Sequence, residues 1–302
     1  MVKIPFNLDI HNLIDDLRNF SWEASEILLY YSKLLRKEEN KKIIIKTKGG
    51  EDPVTSADLK VNELIIKSLN EKYKEKNWSI LSEENVKLNN DIYKNNFDWE
   101  WILDPLDGTK DFIEGTNDYA LHLALNYKNK PHLGIVLIPE KNELWISDGK
   151  NLRCERRDGS LNQLLKPKNK SINEMTFVCS KNHRNKALER LIEKLNFKKV
   201  NFMGSIGCKI ASIIRGDSDI YICLSLPGKS SPKDWDFAAP EAILSAYGGA
   251  ITNLNNENLI YSQKNFVQEG IIIATNDKKT HGEKCKEIKK IIRKYNLFPI
   301  DS

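Results

Sequence analysis

The sequence of 302 residues predicts a layered fold that begins as α+β and continues as α/β. In the first half, two segments with helical apolar spacing precede short β-type runs, which indicates a helix pair packed on a largely antiparallel sheet. In the second half, strands and helices alternate, which indicates a mixed sheet with flanking helices. The polar stretch 166–173 separates the two patterns. We therefore predict an N-terminal half over residues 1–166 and a C-terminal half over residues 167–302.

Amphipathic helices are predicted in the first half over residues 8–35 and 56–73, because apolar residues recur there every three or four positions. Ser56 is the expected N-cap of the second helix. The polar, glycine-containing stretch 47–53 is expected to form a mobile loop that closes over a ligand. The β-type runs of this half are bounded by Gly, Asn, Lys and Pro clusters and cover residues 78–81, 99–103, 119–127, 132–138 and 144–146.

The second half alternates between β-type runs and helical patterns. The predicted strands are residues 175–179, 199–202, 219–224 and 271–274. The predicted helices are residues 184–195, 207–215, 237–247 and 278–295. Helices that connect successive strands in this way cover the faces of one sheet.

Composition indicates an ordinary globular protein. Apolar residues make up 40% and charged residues 29% of the chain, and no apolar run approaches the ~20 residues of a membrane-spanning helix. The first residues lack the features of a secretory signal, so we expect no membrane partner and a cytoplasmic location. The five cysteines are widely spread and include no Cys-x-x-Cys pair, which argues against a disulfide framework and a zinc site.

The charge pattern points to a small anionic partner. The net charge of +5 is modest, and the lysines alternate with acidic residues and asparagines instead of forming one basic block. We therefore expect no nucleic-acid partner. A mild excess of cations suits an anionic small molecule.

Acidic residues are concentrated at the end of one predicted strand, in the segment Trp-Ile-Leu-Asp-Pro-Leu-Asp-Gly-Thr-Lys-Asp-Phe at 101–112. The strand ends at Asp104, and Asp107 follows a turn stiffened by proline, so two carboxylates converge. Divalent cations such as Mg²⁺ bind carboxylate and carbonyl oxygens, and the Leu106 carbonyl lies between the two aspartates. A helical turn that begins at Gly108 would present amides suited to a phosphate. The alternative is an acidic turn in which an aspartate caps a helix.

Three further segments place acidic residues at the ends of predicted elements. Glu83 belongs to a Ser-Glu-Glu sequence that follows a short apolar strand. Asp58 lies in the first turn of the second helix, in Asp-Pro-Val-Thr-Ser-Ala-Asp. Asp236 lies in Asp-Trp-Asp-Phe-Ala-Ala-Pro, which opens a helix with small residues. Each segment has a plainer explanation, because the helix dipole favours carboxylates in a first turn.

Taken in order, these segments resemble the inositol monophosphatase superfamily of metal-dependent phosphatases. The family pattern is Asp-Pro-x-Thr-x-x-Asp, then Glu-Glu after a strand, then Asp-Pro-x-Asp-Gly-Thr-x-x-Phe, then Trp-Asp-x-Ala-Ala, and it is present between residues 46 and 250. The resemblance implies the layered αβαβα fold of sugar phosphatases. It also implies a phosphoric monoester hydrolase that uses two or three Mg²⁺ ions and is inhibited by Li⁺.

The resemblance assigns a metal-binding role to residues of the N-terminal half and to one residue of the C-terminal half. One ion would bind Glu83, Asp104 and the Leu106 carbonyl. A second would bind Asp104, Asp107 and Asp236. A third, weaker ion would also use Glu83. Apart from Asp236, the C-terminal half would bind the substrate.

The same resemblance implies the catalytic groups. Asp58 and Thr109 would orient and deprotonate the attacking water, and the amides of Gly108 and Thr109 would bind the phosphate. Two cations clamp the attacking and leaving oxygens of an in-line displacement, so no covalent phosphoenzyme is expected. Neighbouring carboxylates repel one another without a cation, so the metal-free site is expected to be disordered or partly protonated.

Within the superfamily the chain is most similar to the branch that removes the 3′-phosphate from adenosine 3′,5′-bisphosphate, with the sulfated nucleotide as a related substrate. The segment Cys-Ser-Lys-Asn-His at 179–183 resembles a nucleotide-contacting segment of that branch, and Gly-Ser-Ile-Gly-Cys-Lys at 204–209 ends in a lysine suited to the second phosphate. The implied substrate contacts are Gly108, Thr109, Ser180, His183, Ser205, Lys209 and Asp236. Alternatively, His183 is an exposed residue at a helix start and Lys209 is ordinary surface charge.

Other functions stay open at this point. Inositol phosphatases tend to carry a sugar-binding glutamate where this chain has Cys223, but an inositol or other sugar phosphatase of the same fold is the alternative enzyme. A non-catalytic nucleotide-binding protein is a further alternative. The segment 224–233 does not map onto the family pattern. The resemblance implies a monomer or homodimer that acts in nucleotide recycling after sulfate assimilation.

Overall fold

The computed structural model describes residues 8–37, 39, 41, 45–46, 54–74, 77–88, 97–167, 169–182, 184–225 and 231–299. The predicted loop at 47–53, His183 and the central part of the unmapped segment at 224–233 lie outside these residues. Among the described helices, none has the length and apolar character needed to cross a membrane.

Two long helices and a short β-ribbon open the fold. Helix α1 spans Ile10–Leu35 and helix α2 spans Ser56–Lys72, while β1 (Ile45–Lys46) pairs antiparallel with β2 (Val54–Thr55). The prediction that Ser56 caps α2 is wrong. Thr55 has extended backbone angles, and its hydroxyl accepts a hydrogen bond from the amide of Ala57, whereas Ser56 is already helical. The cap is therefore one residue earlier, as expected because an N-cap residue is non-helical.

The N-terminal sheet has six strands in the order β3-β4-β5-β6-β7-β8. Strands β3 and β4 run parallel, and the remaining neighbours are antiparallel. The strand bounds are Ser79–Ser82, Trp99–Asp107, Ala120–Tyr127, Lys130–Ile138, Glu143–Ser147 and Leu152–Glu155. Strand β4 continues four residues beyond its predicted end, and β8 was not predicted. Two short helices, α3 (Glu83–Leu88) and α4 (Thr109–Glu114), follow directly after β3 and just after β4.

The C-terminal sheet has five strands in the order β10-β9-β11-β13-β12 and is mixed, as predicted. The strand bounds of β9 to β13 are Thr176–Ser180, Lys199–Met203, Ile220–Ser225, Ala250–Asn253 and Gly270–Thr275. Strand β12 was not predicted. Helices α5 to α8 are Lys186–Leu195, Ile206–Arg215, Asp234–Tyr247 and Lys278–Tyr295.

The elements form five layers. Buried residues of α1 and α2 pack on one face of the N-terminal sheet. Helices α6 and α7 share a second core with the other face of that sheet and with the inner face of the C-terminal sheet. Helices α5 and α8 cover the outer face of the C-terminal sheet. The predicted αβαβα fold is therefore confirmed, and the predicted boundary at residue 166 lies on the segment between the two sheets.

Close packing of α7 on the N-terminal sheet brings the two halves together. A Cβ atom at Gly134 on β6 would lie 2.5 Å from the Cβ of Ala242 and 2.9 Å from the carbonyl oxygen of Ala239. Only a small residue on each side permits this approach. The first turn of α7 is thereby held beside the end of β4, where the acidic segment of the N-terminal half lies.

Candidate active site

Three carboxylates that are far apart in sequence converge at the end of β4. One oxygen from each of Asp104, Asp107 and Asp236 lies within 4.8 Å of the others. Asp104 and Asp107 end β4, whose pairing with β5 is irregular between these two residues. Asp236 comes from the first turn of α7. The structure thus brings together residues that the sequence predicts to be metal ligands on both halves of the chain.

Asp107 is fixed by the start of helix α6. Its Oδ2 accepts hydrogen bonds from the Ser205 hydroxyl at 2.6 Å and from the Ile206 amide at 2.5 Å. Ser205 is the N-cap of α6, and its hydroxyl also accepts from the Cys208 amide at 3.2 Å. Free amides at a helix start favour a carboxylate. The predicted substrate contact Ser205 is buried, and in this structure it binds Asp107.

Backbone amides orient the carboxylates of Asp104 and Asp236, and a side-chain hydroxyl orients the carbonyl of Leu106. The Leu106 amide donates to Asp104 Oδ1 at 3.0 Å, and the Lys233 amide donates to Asp236 Oδ2 at 2.5 Å. The Leu106 carbonyl accepts from the Thr109 hydroxyl at 3.0 Å. In each carboxylate the backbone bond engages one oxygen, which fixes the direction of the other. These hydrogen bonds orient the three groups.

Glu83 is held at the start of α3, beside the same cluster. Its Oε1 lies 2.6 Å from Lys87 Nζ, one helical turn later. Burial lowers the pKa of Lys87, but the charges of Glu83, Glu84 and Asp104 outweigh it and raise that pKa above its ordinary value. Glu83 also forms a side-chain hydrogen bond with Asp104. The four predicted carboxylate ligands therefore surround one region.

Crowding changes the ionisation of this cluster. Burial raises the pKa of Asp104 well above its ordinary value, and the charges of Glu83, Asp107 and Asp236 raise it further. Burial and then the charge of Asp107 raise the pKa of Asp236. Buried carboxylates that repel one another take up protons unless a cation neutralises them. The donor set consists of carboxylates and one carbonyl, which is the set that Mg²⁺ and other hard divalent cations prefer. The residues present therefore fit a divalent cation.

Asp58 and Thr109 meet beside the cluster. Asp58 Oδ1 lies 3.5 Å from the Thr109 hydroxyl, whose one proton has its shorter contact with the Leu106 carbonyl, while Asp58 Oδ2 accepts from the Thr55 amide at 2.9 Å and from the Thr55 hydroxyl. Burial raises the pKa of Asp58 to about 7, and the charges of Glu84 and Glu83 add to the increase. A carboxyl group with such a pKa exchanges a proton readily near neutral pH.

Gly108 makes the turn between β4 and α4 possible. Its φ is +88°, a conformation that residues with side chains rarely adopt, and a Cβ atom would lie 2.7 Å from the Asp118 carbonyl oxygen. Gly108 is the N-cap of α4, so the amides that follow it are not used by the helix itself.

Two further predicted substrate contacts, Ser180 and Lys209, are both buried. Ser180 ends β9 and is buried. Lys209 is only 1% exposed, and its Nζ is hydrogen bonded to the Gly204 carbonyl, with the ring centre of Tyr221 5.4 Å away. The alternative that Lys209 is surface charge is therefore wrong, because its side chain turns back onto the end of β10 and the turn that precedes its own helix. Contact between Lys209 and a phosphate stays a prediction.

Sequence reasoning missed three residues of the site. Thr55 holds Asp58, and Lys87 pairs with Glu83, although the spacing of four residues between Glu83 and Lys87 was a usable signal. His122 on β5 lies with Nε2 3.4 Å from Asp107 Oδ2, and burial lowers its pKa despite the opposing effect of Asp107. A lone histidine in an apolar strand carries no signal of this contact.

Comparison with known proteins is consistent with this geometry. The model of the inositol monophosphatase family matches residues 16–293. The chain is 29% identical over 268 residues to the 3′(2′),5′-bisphosphate nucleotidase CysQ of Buchnera aphidicola, covering 87% of this chain and 94% of that protein. It is 26% identical over 241 residues to the protein of the same name from Haemophilus influenzae, covering 79% of this chain and 86% of that protein.

A solved structure shows the same fold. A crystal structure of an IMPase/NADP phosphatase complexed with NADP and Ca²⁺ superposes with a TM-score of 0.72 and 20% sequence identity, covering 94% of this chain and 97% of that one. Similarity at this level of identity establishes the fold. Because the family match spans nearly the whole described chain and includes every carboxylate of the cluster, this protein belongs to the inositol monophosphatase family of phosphatases.

Proposed function

We propose that the chain is a magnesium-dependent phosphomonoesterase that removes the 3′-phosphate of adenosine 3′,5′-bisphosphate, with the sulfated analogue as a related substrate. The observation that carries the metal-dependent reaction is the convergence of Asp104, Asp107 and Asp236 within 4.8 Å. The choice of substrate is supported by the bisphosphate nucleotidases of Buchnera aphidicola and Haemophilus influenzae, to which the chain is similar. We also place the enzyme in cytoplasmic nucleotide recycling after sulfate assimilation, as a monomer or homodimer.

The proposed metal ligands are carboxylate and carbonyl oxygens of this chain: Glu83, Asp104, the Leu106 carbonyl, Asp107 and Asp236. When bound, two or three Mg²⁺ ions would supply positive charge that polarises the phosphoryl group and makes a water molecule more acidic. The Ca²⁺ in the related IMPase/NADP phosphatase complex supports a divalent cation in this fold. We expect Li⁺ to inhibit the enzyme.

Asp58 is the proposed proton acceptor. Its Oδ1 lies 3.5 Å from the Thr109 hydroxyl, which would turn its one proton from the Leu106 carbonyl to Asp58 and leave its lone pairs available to orient a water molecule. As the water attacks phosphorus, its proton would pass to Thr109 Oγ1 while the proton of Thr109 passes to Asp58. A pKa of about 7 suits this role, and positioned proton transfer contributes roughly 10²- to 10⁴-fold in rate.

The phosphate is proposed to bind at the turn that begins α4. Gly108 is the N-cap and Thr109 the first residue of α4, so the helix gives neither of their amides a partner, and both would donate to phosphate oxygens. Ser180, His183, Ser205, Lys209 and Asp236 are the proposed contacts for the rest of the substrate.

A phosphate-release panel tests the reaction and the substrate together. We expect Mg²⁺-dependent release from adenosine 3′,5′-bisphosphate with a higher kcat/KM than from inositol 1-phosphate, NADP or fructose 1,6-bisphosphate. A preference for the inositol ester or for NADP would favour the alternative substrates of the same fold. The Asp107→Asn variant is the control for contaminating phosphatases, and release that is unchanged in this variant would support a non-catalytic binding protein.

A further inference from the structure

His122 is a buried polar residue whose two nearest neighbours on the same strand face are apolar. It lies on β5 between Ala120 and Ala124, which point to the same side as His122 because side chains alternate along a strand. Both alanines belong to the core shared with α6 and α7, and all three residues are 0% exposed. An apolar side chain would suit this position, so packing alone does not explain why an imidazole is buried here.

Both ring nitrogens of His122 lie beside hydrogen-bond acceptors. Nδ1 is 3.3 Å from the Trp235 carbonyl oxygen, and Nε2 is 3.4 Å from Asp107 Oδ2. A neutral imidazole has one N–H for these two acceptors. Among the described side chains, Nε2 is one of the few buried polar atoms without an ordinary hydrogen bond. Nε2 therefore points toward Asp107 and has no hydrogen bond to any other described residue.

The backbone around His122 makes room for this contact. A Cβ atom at Gly207 would lie 2.2 Å from His122 Nε2. Any side chain at position 207 would displace the ring from Asp107. The amide of Gly207 also lies 3.3 Å from Asp107 Oδ2 and donates to it. Glycine at 207 therefore permits the imidazole and the helix start to approach the same carboxylate oxygen.

The two neighbours of His122 belong to the two halves of the proposed metal site. Asp107 ends β4, whereas the Trp235 carbonyl belongs to the peptide group that joins Trp235 to Asp236 on α7. His122 thus lies between one ligand and the backbone of another. All contacts to Asp107 described here are with Oδ2, which leaves Oδ1 for a cation.

We propose that His122 is a positioning residue: its single N–H, on Nε2, donates to Asp107, and its ring packs against the Trp235–Asp236 peptide, which together set the spacing that a divalent cation requires. This inference rests on the proposed function, because it assumes that these aspartates bind Mg²⁺. His122 acts through the two aspartates and does not touch the substrate. Outer residues that orient metal ligands typically change metal affinity by about 10- to 100-fold when they are replaced.

Calorimetric titration of the metal-free protein with Mg²⁺ alone tests the inference. We expect His122→Leu to weaken Mg²⁺ binding by about 10- to 100-fold. His122→Gln should recover most of this loss, because the amide nitrogen of glutamine can reach the place of Nε2. His122→Asn should not, because its shorter side chain reaches only the place of Nδ1. Thermal unfolding of each variant shows whether it is folded, and His122→Asn serves if the leucine variant does not fold.

His281→Gln is the matched control. His281 is likewise buried, with 1% of its surface exposed, and its ring nitrogens are hydrogen bonded to the hydroxyls of Thr252 and Thr275, at 2.7 and 2.9 Å. This variant should bind Mg²⁺ like the wild type. Equal affinity in His122→Asn and the wild type would overturn the role of His122 and leave the proposed function intact. Absence of Mg²⁺ binding by the wild type would overturn both.

Discussion

Replacing Asp104 with asparagine should stabilise the metal-free protein while it removes activity. Asparagine has the shape of aspartate, so its Oδ1 can still accept from the Leu106 amide, and its NH₂ group can donate to the neighbouring carboxylates. The change removes one negative charge from a group of three carboxylates, of which Asp104 is buried. The substitution therefore reduces the electrostatic repulsion among these carboxylates in the folded protein.

The structure gives the scale of this effect. Two unit charges 4.8 Å apart repel by about 3.5 kcal/mol at an effective dielectric constant of about 20. Asp104 has two such neighbours, but protonation already relieves part of the repulsion in the wild type. We therefore expect a net gain of about 2 kcal/mol in the free energy of unfolding, which corresponds to a rise in Tm of about 3 °C for a chain of 302 residues.

The gain should depend on pH in a defined direction. Burial, and then the charges of Glu83, Asp107 and Asp236, raise the folded pKa of Asp104 above 3.8. The folded protein then retains a proton that the unfolded chain releases, so wild-type stability falls as pH rises above about 4 toward the folded pKa. The difference between variant and wild type should be small at pH 5 and larger at pH 8.

Thermal unfolding in the presence of a chelator, followed by circular dichroism, measures this difference. Asp219→Asn is the control, because Asp219 is also buried but binds Lys170 Nζ at 2.7 Å and the Thr176 amide at 2.8 Å. That variant should lose stability. A metal-free Asp104→Asn protein that is less stable than the wild type at pH 8, or equally shifted at both pH values, would refute the reasoning.

Two further outcomes follow from the site. Because Asp58 must be ionised to accept a proton and burial raises the pKa of the metal-free group to about 7, kcat/KM should fall as pH decreases, with the acid limb at or below about 7 because bound Mg²⁺ offsets the charges of Glu84 and Glu83. Asp58→Asn should lose this acid limb together with roughly 10²- to 10⁴-fold in rate, and an unchanged profile in the variant would exclude Asp58 as the base. Gly108→Ala should lower the free energy of unfolding by about 1 to 3 kcal/mol and impair phosphate release, because its Cβ would meet the Asp118 carbonyl. Gly115→Ala is the control, because φ is +73° at Gly115 but no atom lies within 4 Å of the added Cβ, so only backbone strain should destabilise this variant. Equal losses of activity in the two variants would contradict the role of Gly108.

The order of layers could be predicted because apolar periodicity reports which elements have one buried face. Long strands such as β5 and β6 were found for this reason. Strands β8 and β12 were missed because each has only four residues and lacks the adjacent large apolar residues that mark the equally short β3. Without such residues, four positions give too few alternations to distinguish a strand from a loop.

The carboxylates of the site could be predicted from the sequence more fully than the contacts that hold the site residues in place. Asp104 and Asp107 follow an apolar strand, and their spacing alone indicates convergence. The parts that could not be predicted depend on contacts between distant elements. Burial of Lys209 depends on the carbonyl of Gly204 and on Tyr221 of another strand, and no local pattern reports either contact.

The most direct test of the account is a crystal structure of the protein soaked with Mn²⁺, with anomalous scattering used to locate the ion. We expect anomalous peaks bordered by the oxygens of Asp104, Asp107 and Asp236, with a second peak toward Glu83. Mn²⁺ bound only elsewhere, with the three aspartates free of metal at millimolar concentration, would contradict the central claim that these carboxylates form a divalent-cation site.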